Sequence, residues 1–357
     1  MKIALLGAAN SVHLARIANA ILAKGHEVLV ISLPNHRDVD NIIRTKIFYL
    51  KHSGGKGYYL NALELKKILK EENVDVLNSH YASGYGTLGR LSNFHPTILS
   101  VWGSDVYSFP NEHLIKKIIL KRNLKSADLL FSTSNCMANE TRKYIGYKKK
   151  IVITPFGVDT EMFCPSEKKK ENSDTNFVIG FLKGTSRIYG IDLFMVAFEK
   201  SKKTLGQQGI FASALICGGG DRYDEIISKI KKSEFSDSYN FLGRIPHAQM
   251  PQIISECDVV CVPSLEESFG VVALEAMSSG IPCITSDAPG LAEVVNNEIT
   301  GYVTNNTIEE LSEKICILAI NCEKRRRMSA AAREHVCKEY DFSKNIDIFL
   351  DAYISII

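Results

Sequence analysis

Short apolar, β-rich runs alternate along this chain with stretches of helical periodicity, and that alternation restricts the fold more than any other property. KIALLG, EVLVIS, VDVLN, TILSV, ADLLFST and KIVIT form one series, and FVIGFL, SALIC, YNFLG, DVVCV and PCITS form a second. Strands spaced by helices predict a parallel sheet wrapped by helices. With 357 residues the chain is long enough for two full cores. Two successive series therefore predict an α/β protein of two Rossmann-like domains rather than one large sheet. Between the series, FCPSEKKKENSDTN (163–176) is polar and charged and reads as a linker.

No apolar run approaches the roughly 18 residues needed to span a bilayer. MKIALLG begins like a signal peptide, but Asn10, His13 and Arg16 interrupt the apolar region too early. The nine cysteines are an odd count without a CxxC pair, so neither a disulfide framework nor a zinc ladder is expected. Cys257 and Cys261 belong in or beside the strand DVVCV. A reducing, cytoplasmic location is the expectation. The net charge of +3 hides a split: residues 1–160 carry 22 Lys+Arg against 12 Asp+Glu, a net of +10, and the remainder carries −7. The two halves present different surfaces to their partners.

Chemistry concentrates in Pro263 to Glu293, PSLEESFGVVALEAMSSGIPCITSDAPGLAE. Ser268, Phe269 and Gly270 break the chain ahead of a helical run from Val271 to Ser279, which Gly280-Ile281-Pro282 ends. A helix opening behind a strand and a Gly-containing loop presents free backbone N–H groups that attract phosphate. Glu267 and Glu275 flank the break. Eight helical steps would separate them by about 12 Å, so one carboxylate can hold sugar hydroxyls and the other a ribose.

With Pro263-Ser264, Phe269-Gly270, Glu275-Ala276, Gly280-Ile281-Pro282 and Gly290 in place, this string resembles the nucleotide-sugar motif of retaining GT-B glycosyltransferases, glycosyltransferase family 4. The resemblance is strong over residues 240–305 and loose over residues 1–150. It implies two Rossmann-like domains facing a central cleft, with the amphipathic tail YDFSKNIDIFLDAYISII crossing back to the first domain along Ile346, Phe349, Leu350 and Tyr353. The domains are then 1–160 with 341–357, and 161–340. The implied reaction moves a sugar, with retention, from a nucleotide donor (UDP before GDP or ADP) to an acceptor hydroxyl. A lipid-linked glycan of bacterial surface polysaccharide is the expected acceptor. No covalent nucleophile stands out, and no metal or cofactor and no nucleic acid partner are expected. A GT-B nucleotide-sugar epimerase and a non-catalytic nucleotide-sugar-binding subunit are the rival readings.

The same resemblance assigns residues. Glu267 orients donor-sugar hydroxyls, Glu275 holds the ribose, and Ser268, Phe269, Gly270, Val271 and Val272 offer backbone to the diphosphate. Phe181 stands where relatives carry an arginine, which leaves Lys183 and Arg187 as the nearest cations for the leaving diphosphate. Gly218 permits close backbone approach after SALIC, and Gly243 and Ile245 lie in the segment that reads the nucleobase. In the first domain, Ala9 and Asn10 sit in the turn after the first strand, with His13 near the reaction centre. Asp105 is expected to face the cleft, and His80 and Trp102 to lie on the acceptor side. Trp102 stands where relatives often have His. The helical stretch Asn111 to Lys125 aligns Lys117, Lys121 and Lys125, flanked by Leu114, Ile118 and Leu124. Such a face suits peripheral contact with an anionic membrane.

Overall fold

The apolar runs become strands of two all-parallel sheets in a computed structural model, which describes residues 1–39, 42–166 and 175–357. The chain divides into a first unit, Met1–Phe156 with Ser343–Ile357, and a second unit, Gly157–Phe342. The changes of unit thus fall at 156/157 and 342/343, where the sequence reading put them at 160/161 and 340/341.

The first unit contains β1 (Lys2–Leu6), β2 (Glu27–Ser32), β3 (Lys46–Tyr49), β4 (Val76–His80), β5 (Thr97–Val101), β6 (Leu129–Ser132) and β7 (Ile151–Ile153). Their order is β3-β2-β1-β4-β5-β6-β7. The central strands are buried along nearly their whole length, which suits their Ile, Leu and Val, though the fully buried β4 also carries Asn78, Ser79 and His80. β3 is missing from the sequence reading although Ile47, Phe48 and Tyr49 are consecutive; it is a four-residue edge strand with no fully buried residue. The C-terminal helix Phe342–Ile354 buries Ile346, Phe349, Leu350 and Tyr353, the four residues of the expected stripe. Phe349 meets Phe131 edge-on at 5.3 Å, and Asn78 donates to the Tyr353 hydroxyl at 2.7 Å.

The second unit contains β8 (Asn176–Phe181), β9 (Phe211–Cys217), β10 (Tyr239–Gly243), β11 (Val259–Val262), β12 (Cys283–Ser286) and β13 (Gly301–Thr304), ordered β10-β9-β8-β11-β12-β13. This is the Rossmann order, and β13 is a second edge strand absent from the sequence reading. Cys257 and Cys261 are buried at this sheet, and all nine cysteines are free thiols. Part of the expected linker, 167–174, lies outside the described residues. Its first residue is no linker: Phe163 is 1 % exposed, and its carbonyl accepts from Ser278 Oγ and Arg333 Nη1. The Gly157-Val158-Asp159 segment does backbone work, as Val158 bridges to Asp341 and Asp159 Oδ1 accepts from the amides of Glu161 and Met162.

Parallel sheets bind ligands beyond the strand C-termini where the strand order reverses. Those points lie between β1 and β4 in the first unit and between β8 and β11 in the second. At the second, Gly190 has φ +76°, and a Cβ there would stand 2.0 Å from the Pro263 carbonyl oxygen. Gly190→Ala is therefore expected to destabilise the second unit by at least about 1–3 kcal/mol, the cost of the strained backbone alone. Gly206→Ala, which meets nothing within 4 Å, is expected to stay within about 1 kcal/mol of wild type. Urea denaturation midpoints compare the two.

Candidate functional site

Five strand ends of the second unit, those of β8 to β12, are stitched together by their backbones. The Thr185 amide donates to Gly219 O, Leu265 to Ile188 O, Gly218 to Gly243 O, and Gly290 to Glu267 O, each at 2.7–3.1 Å. Side chains would prevent the approach: a Cβ on Gly218 would lie 2.1 Å from Lys183 O, and one on Gly290 2.5 Å from Glu267 O.

This stitching brings Lys183, from the loop after β8, onto Glu267, from the loop after β11. Lys183 Nζ donates to Glu267 Oε2, and both side chains are 13 % exposed. The ammonium also lies over the Tyr189 ring, 4.9 Å from its centroid. Two residues expected to act separately on donor sugar and diphosphate therefore form one ion pair. Arg187 does not join them. It sits exposed on the turn Arg187–Tyr189 and makes no ion pair among the described residues, so the two cations expected to act together are not brought together.

Only one of the two glutamates is helical. The helix runs Val271–Ser278 from Gly270, whose φ of +85° requires glycine, so Glu275 lies on the helix and Glu267 on the loop before it. The 12 Å estimate, which assumed continuous helix, does not describe this pair. Ser268, Val271 and Val272 are partly exposed around the helix N-terminus, where first-turn amides lack helical partners. Phe269 offers backbone only, because its ring is buried against Tyr340. Glu275 is 4 % exposed, and its Oε1 is bonded to His247 Nε2 at 2.8 Å. His247 lies just beyond Gly243 and Ile245, with its ring 5.4 Å from that of Phe163. Sequence reasoning missed His247, since no local pattern links it to a carboxylate 28 residues later.

In the first unit the turn after β1 is already committed. Ala9 is buried and its amide donates to Ser32 Oγ at 3.1 Å, which removes it as a phosphate donor; Asn10 is exposed. His13 stacks on Phe156 at 4.2 Å and meets Trp102 edge-on at 6.0 Å. His80, at the end of β4, lies 5.1 Å from Trp102. His13, His80 and Trp102 share the lining of a cavity of about 350 Å³. Asp105 does not reach it. Its side chain is fully buried and accepts from the amides of Ala82 (2.7 Å), Gly103 (2.8 Å) and Trp102 (3.1 Å). Burial raises its pKa while those amides pull it down. The expected cleft carboxylate is instead a tie between the loops after β4 and β5.

The basic helix spans Leu114–Ser126, with Lys117, Lys121 and Lys125 exposed. Leu114, Ile115 and Ile118 are also exposed, whereas Leu124 is core rather than flank. No described helix is long and apolar enough to cross a membrane, and no described cluster of three His, Cys, Asp or Glu could hold a metal.

Comparison with known proteins follows this division. Residues 2–134 match the family model for glycosyl transferase 4-like proteins, and residues 165–335 match that for glycosyl transferases group 1. The chain is 26% identical over 309 residues to an uncharacterized glycosyltransferase of Methanocaldococcus jannaschii, covering 85% of this chain and 82% of that one. It is 24% identical over 315 residues to N-acetyl-alpha-D-glucosaminyl L-malate synthase of Bacillus anthracis (83% and 78%). It is 25% identical over 316 residues to the Escherichia coli UDP-Gal:alpha-D-GlcNAc-diphosphoundecaprenol alpha-1,3-galactosyltransferase (83% and 79%). Among solved structures, sucrose-phosphate synthase of Thermosynechococcus elongatus superposes with a TM-score of 0.84 at 19% identity, covering 99% and 98% of the two chains. Anabaena HepE in complex with UDP-glucose gives 0.82 at 18% identity, covering 99% and 100%. The fold is that of GT-B glycosyltransferases. With both units matched by glycosyltransferase models, the chain is a GT-B glycosyltransferase.

The inward Asp105 can be tested apart from activity. Removing it strands three amides, each costing about 1–3 kcal/mol if left unpaired. Asp105→Ala is expected to lower the denaturation midpoint of the first unit markedly, and Asp105→Asn, which keeps a carbonyl oxygen, to lower it less. Unchanged melting of Asp105→Ala would restore a substrate-facing role.

Proposed function

We propose that this protein transfers a sugar, with retention of anomeric configuration, from a UDP-sugar to a hydroxyl of a lipid-linked glycan in bacterial surface polysaccharide synthesis. The observation that carries the reading is the second unit's switch point. There the Lys183–Glu267 pair stands beside the loop leading to the helix N-terminus at Gly270, and the helix carries the Glu275–His247 pair. An ammonium and unpaired amides suit a diphosphate, and a clasped carboxylate suits two vicinal ribose hydroxyls. UDP is favoured by the likeness to HepE solved with UDP-glucose, and a lipid-linked acceptor by the name of the E. coli relative.

In the reaction the sugar C1–O bond to the diphosphate breaks while the acceptor oxygen bonds to C1 from the same face. The departing phosphate oxygen takes the acceptor proton, and UDP leaves. Lys183, held by Glu267 and Tyr189, enters with little reorganisation and meets the charge that develops on the diphosphate. Glu267 orients donor hydroxyls, and Glu275, positioned by His247, holds the ribose. Charge compensation in this scheme falls to these groups and not to a metal.

The roles separate kinetically. Lys183→Ala is expected to lower turnover about a hundred- to a thousandfold, the cost of losing one donor to a developing oxyanion. Glu275→Gln is expected chiefly to weaken UDP binding, seen as a smaller thermal shift with UDP, and His247→Ala to reproduce part of that loss. Steady-state kinetics of Lys183→Ala at wild-type turnover, or an undiminished shift for Glu275→Gln, would remove the assignment concerned. Donor isomerised without acceptor would favour an epimerase, and donor bound without transfer a binding subunit.

Membrane contact belongs to the same reading. Lys117, Lys121 and Lys125 are exposed beside exposed Leu114, Ile115 and Ile118, and each lysine is worth about 1 kcal/mol near an anionic leaflet. The protein is expected to sediment with anionic liposomes at low salt, and to stay in solution when the three lysines are changed to Glu. Equal sedimentation of both would remove the membrane contact.

A further inference from the structure

The first unit holds a second cavity, of about 220 Å³, beside the start of β5 and the C-terminal ends of helices Gly84–Ser92 and Leu114–Ser126. Its floor includes Ser79, 4 % exposed, and Asn123, 1 % exposed, while Arg90, Asn93, His95 and Ser126 stand partly or fully exposed at its rim. Gly89 lets the first helix rest on β4, since a Cβ there would lie 2.2 Å from Ser79 Oγ.

Arg90 is held but not paired. Its Nε donates to Asn123 Oδ1 at 2.9 Å, and Asn123 is fixed in turn because its Nδ2 donates to Ala82 O at 2.9 Å and to Thr87 Oγ1 at 2.8 Å. Among the described residues Arg90 makes no ion pair, its two terminal nitrogens make no hydrogen bond, and the cavity lining contains no Asp or Glu. Asp128, on the turn after the second helix, is engaged by His95 and by the Thr97 amide, each at 2.7 Å. Helix C-termini ordinarily repel anions, but here donors cover their carbonyls. Gly89 O accepts from Ser92 Oγ at 2.6 Å, Asn123 O from Ser126 Oγ at 2.9 Å, and Lys125 O from the Lys149 ammonium at 2.8 Å.

These groups discriminate between ligand chemistries. A metal ion would meet a guanidinium and no carboxylate, and a neutral ligand would leave that guanidinium without a counter-charge. An oxyanion suits its planar fork. A carboxylate presents both oxygens along one edge, whereas a phosphate also has oxygens turned toward the floor. There the Thr97 and Ser126 hydroxyls already donate to Asp128 and to Asn123 O, but the Ser79 hydroxyl makes no hydrogen bond among the described residues.

We propose that this cavity is a phosphate-binding site, in which Arg90 supplies the fork and Ser79 the donor beneath it. The ligand is the phosphate group of a soluble phosphomonoester or of a lipid headgroup, the second source lying within reach of the helix that exposes Lys117, Lys121 and Lys125. The site is separate from the diphosphate and acceptor sites of the transferase reading.

Calorimetric titration of the full chain with glycerol 3-phosphate tests it, with UDP present at saturation to fill the second unit's site. One saturable binding event is expected, and acetate at the same ionic strength should bind at least about tenfold more weakly, having fewer oxygens to pair. Arg90→Gln should weaken phosphate binding about tenfold or more, the equivalent of a lost charged hydrogen bond. Arg90→Lys, which keeps the charge without the fork, should fall between that variant and wild type. Ser79→Ala should weaken binding less than Arg90→Gln and should not lower the melting temperature of the ligand-free chain, because the hydroxyl it removes has no partner to lose. UDP affinity should be the same in all three variants. Dihexanoyl phosphatidic acid, used below its micellar concentration, separates the sources: tighter binding than glycerol 3-phosphate supports the site with a headgroup as ligand, and equal or weaker binding supports it with a soluble phosphomonoester. Absence of saturable phosphate binding, acetate bound as tightly as phosphate, or phosphate binding undiminished in Arg90→Gln overturns the proposal. The comparison of phosphate with acetate on the unaltered protein needs no variant to fold.

Discussion

Backbone pressed against backbone at the second unit's switch point is the constraint on which the candidate site depends. Lys183 and Glu267 are 84 positions apart and belong to different strand-end loops. They meet because the loops touch at their Cα atoms, with Gly190 against Pro263, Gly218 against Lys183 and Gly290 against Glu267. Any side chain at these glycines would hold the loops apart. The resulting ion pair is partly buried, and partly buried pairs contribute little net stability once desolvation is counted. Its value is positional: it fixes an ammonium beside the loop that leads to a helix N-terminus.

The first unit solves a similar problem by other means. Its loops after β4 and β5 are tied by the Asp105 carboxylate, which accepts amides from both. That arrangement consumes the carboxylate and delivers Trp102 to the wall of a pocket. The two switch points therefore differ in character. The second unit's carries a lysine and two glutamates, whereas the cavity at the first unit's is lined mostly by rings and by no Lys, Arg, Asp or Glu.

Some features were legible because their causes are local. The apolar runs identify the buried strands, since a parallel strand covered on both faces is mostly apolar, even though buried β4 ends in Asn78, Ser79 and His80. Gly280-Ile281-Pro282 marks a helix end, and the stripe Ile346, Phe349, Leu350, Tyr353 marks a helix face, because breakers and periodicity act within a few residues. Of the four edge strands, β7 and β10 were legible as KIVIT and YNFLG, whereas β3 and β13 were not, so edge position alone does not hide a strand. Glu267 and Glu275 were recognisable as a pair, but their separation was not, because Gly270 starts the helix only after Glu267 has passed.

The sequence by itself determined two parallel α/β sheets, the position of the glutamate pair, and the excess of cations in the first half. Tertiary structure alone decided who partners whom: Asp105 with the Ala82 amide, Glu275 with His247, Lys183 with Glu267, and His80 with no group among its neighbours. The reason is physical. Secondary structure follows from torsional preference and the burial pattern of adjacent residues, both encoded within about a dozen positions. The partner of a buried polar group depends instead on strand order and loop approach, which bring together residues 23 to 84 positions apart.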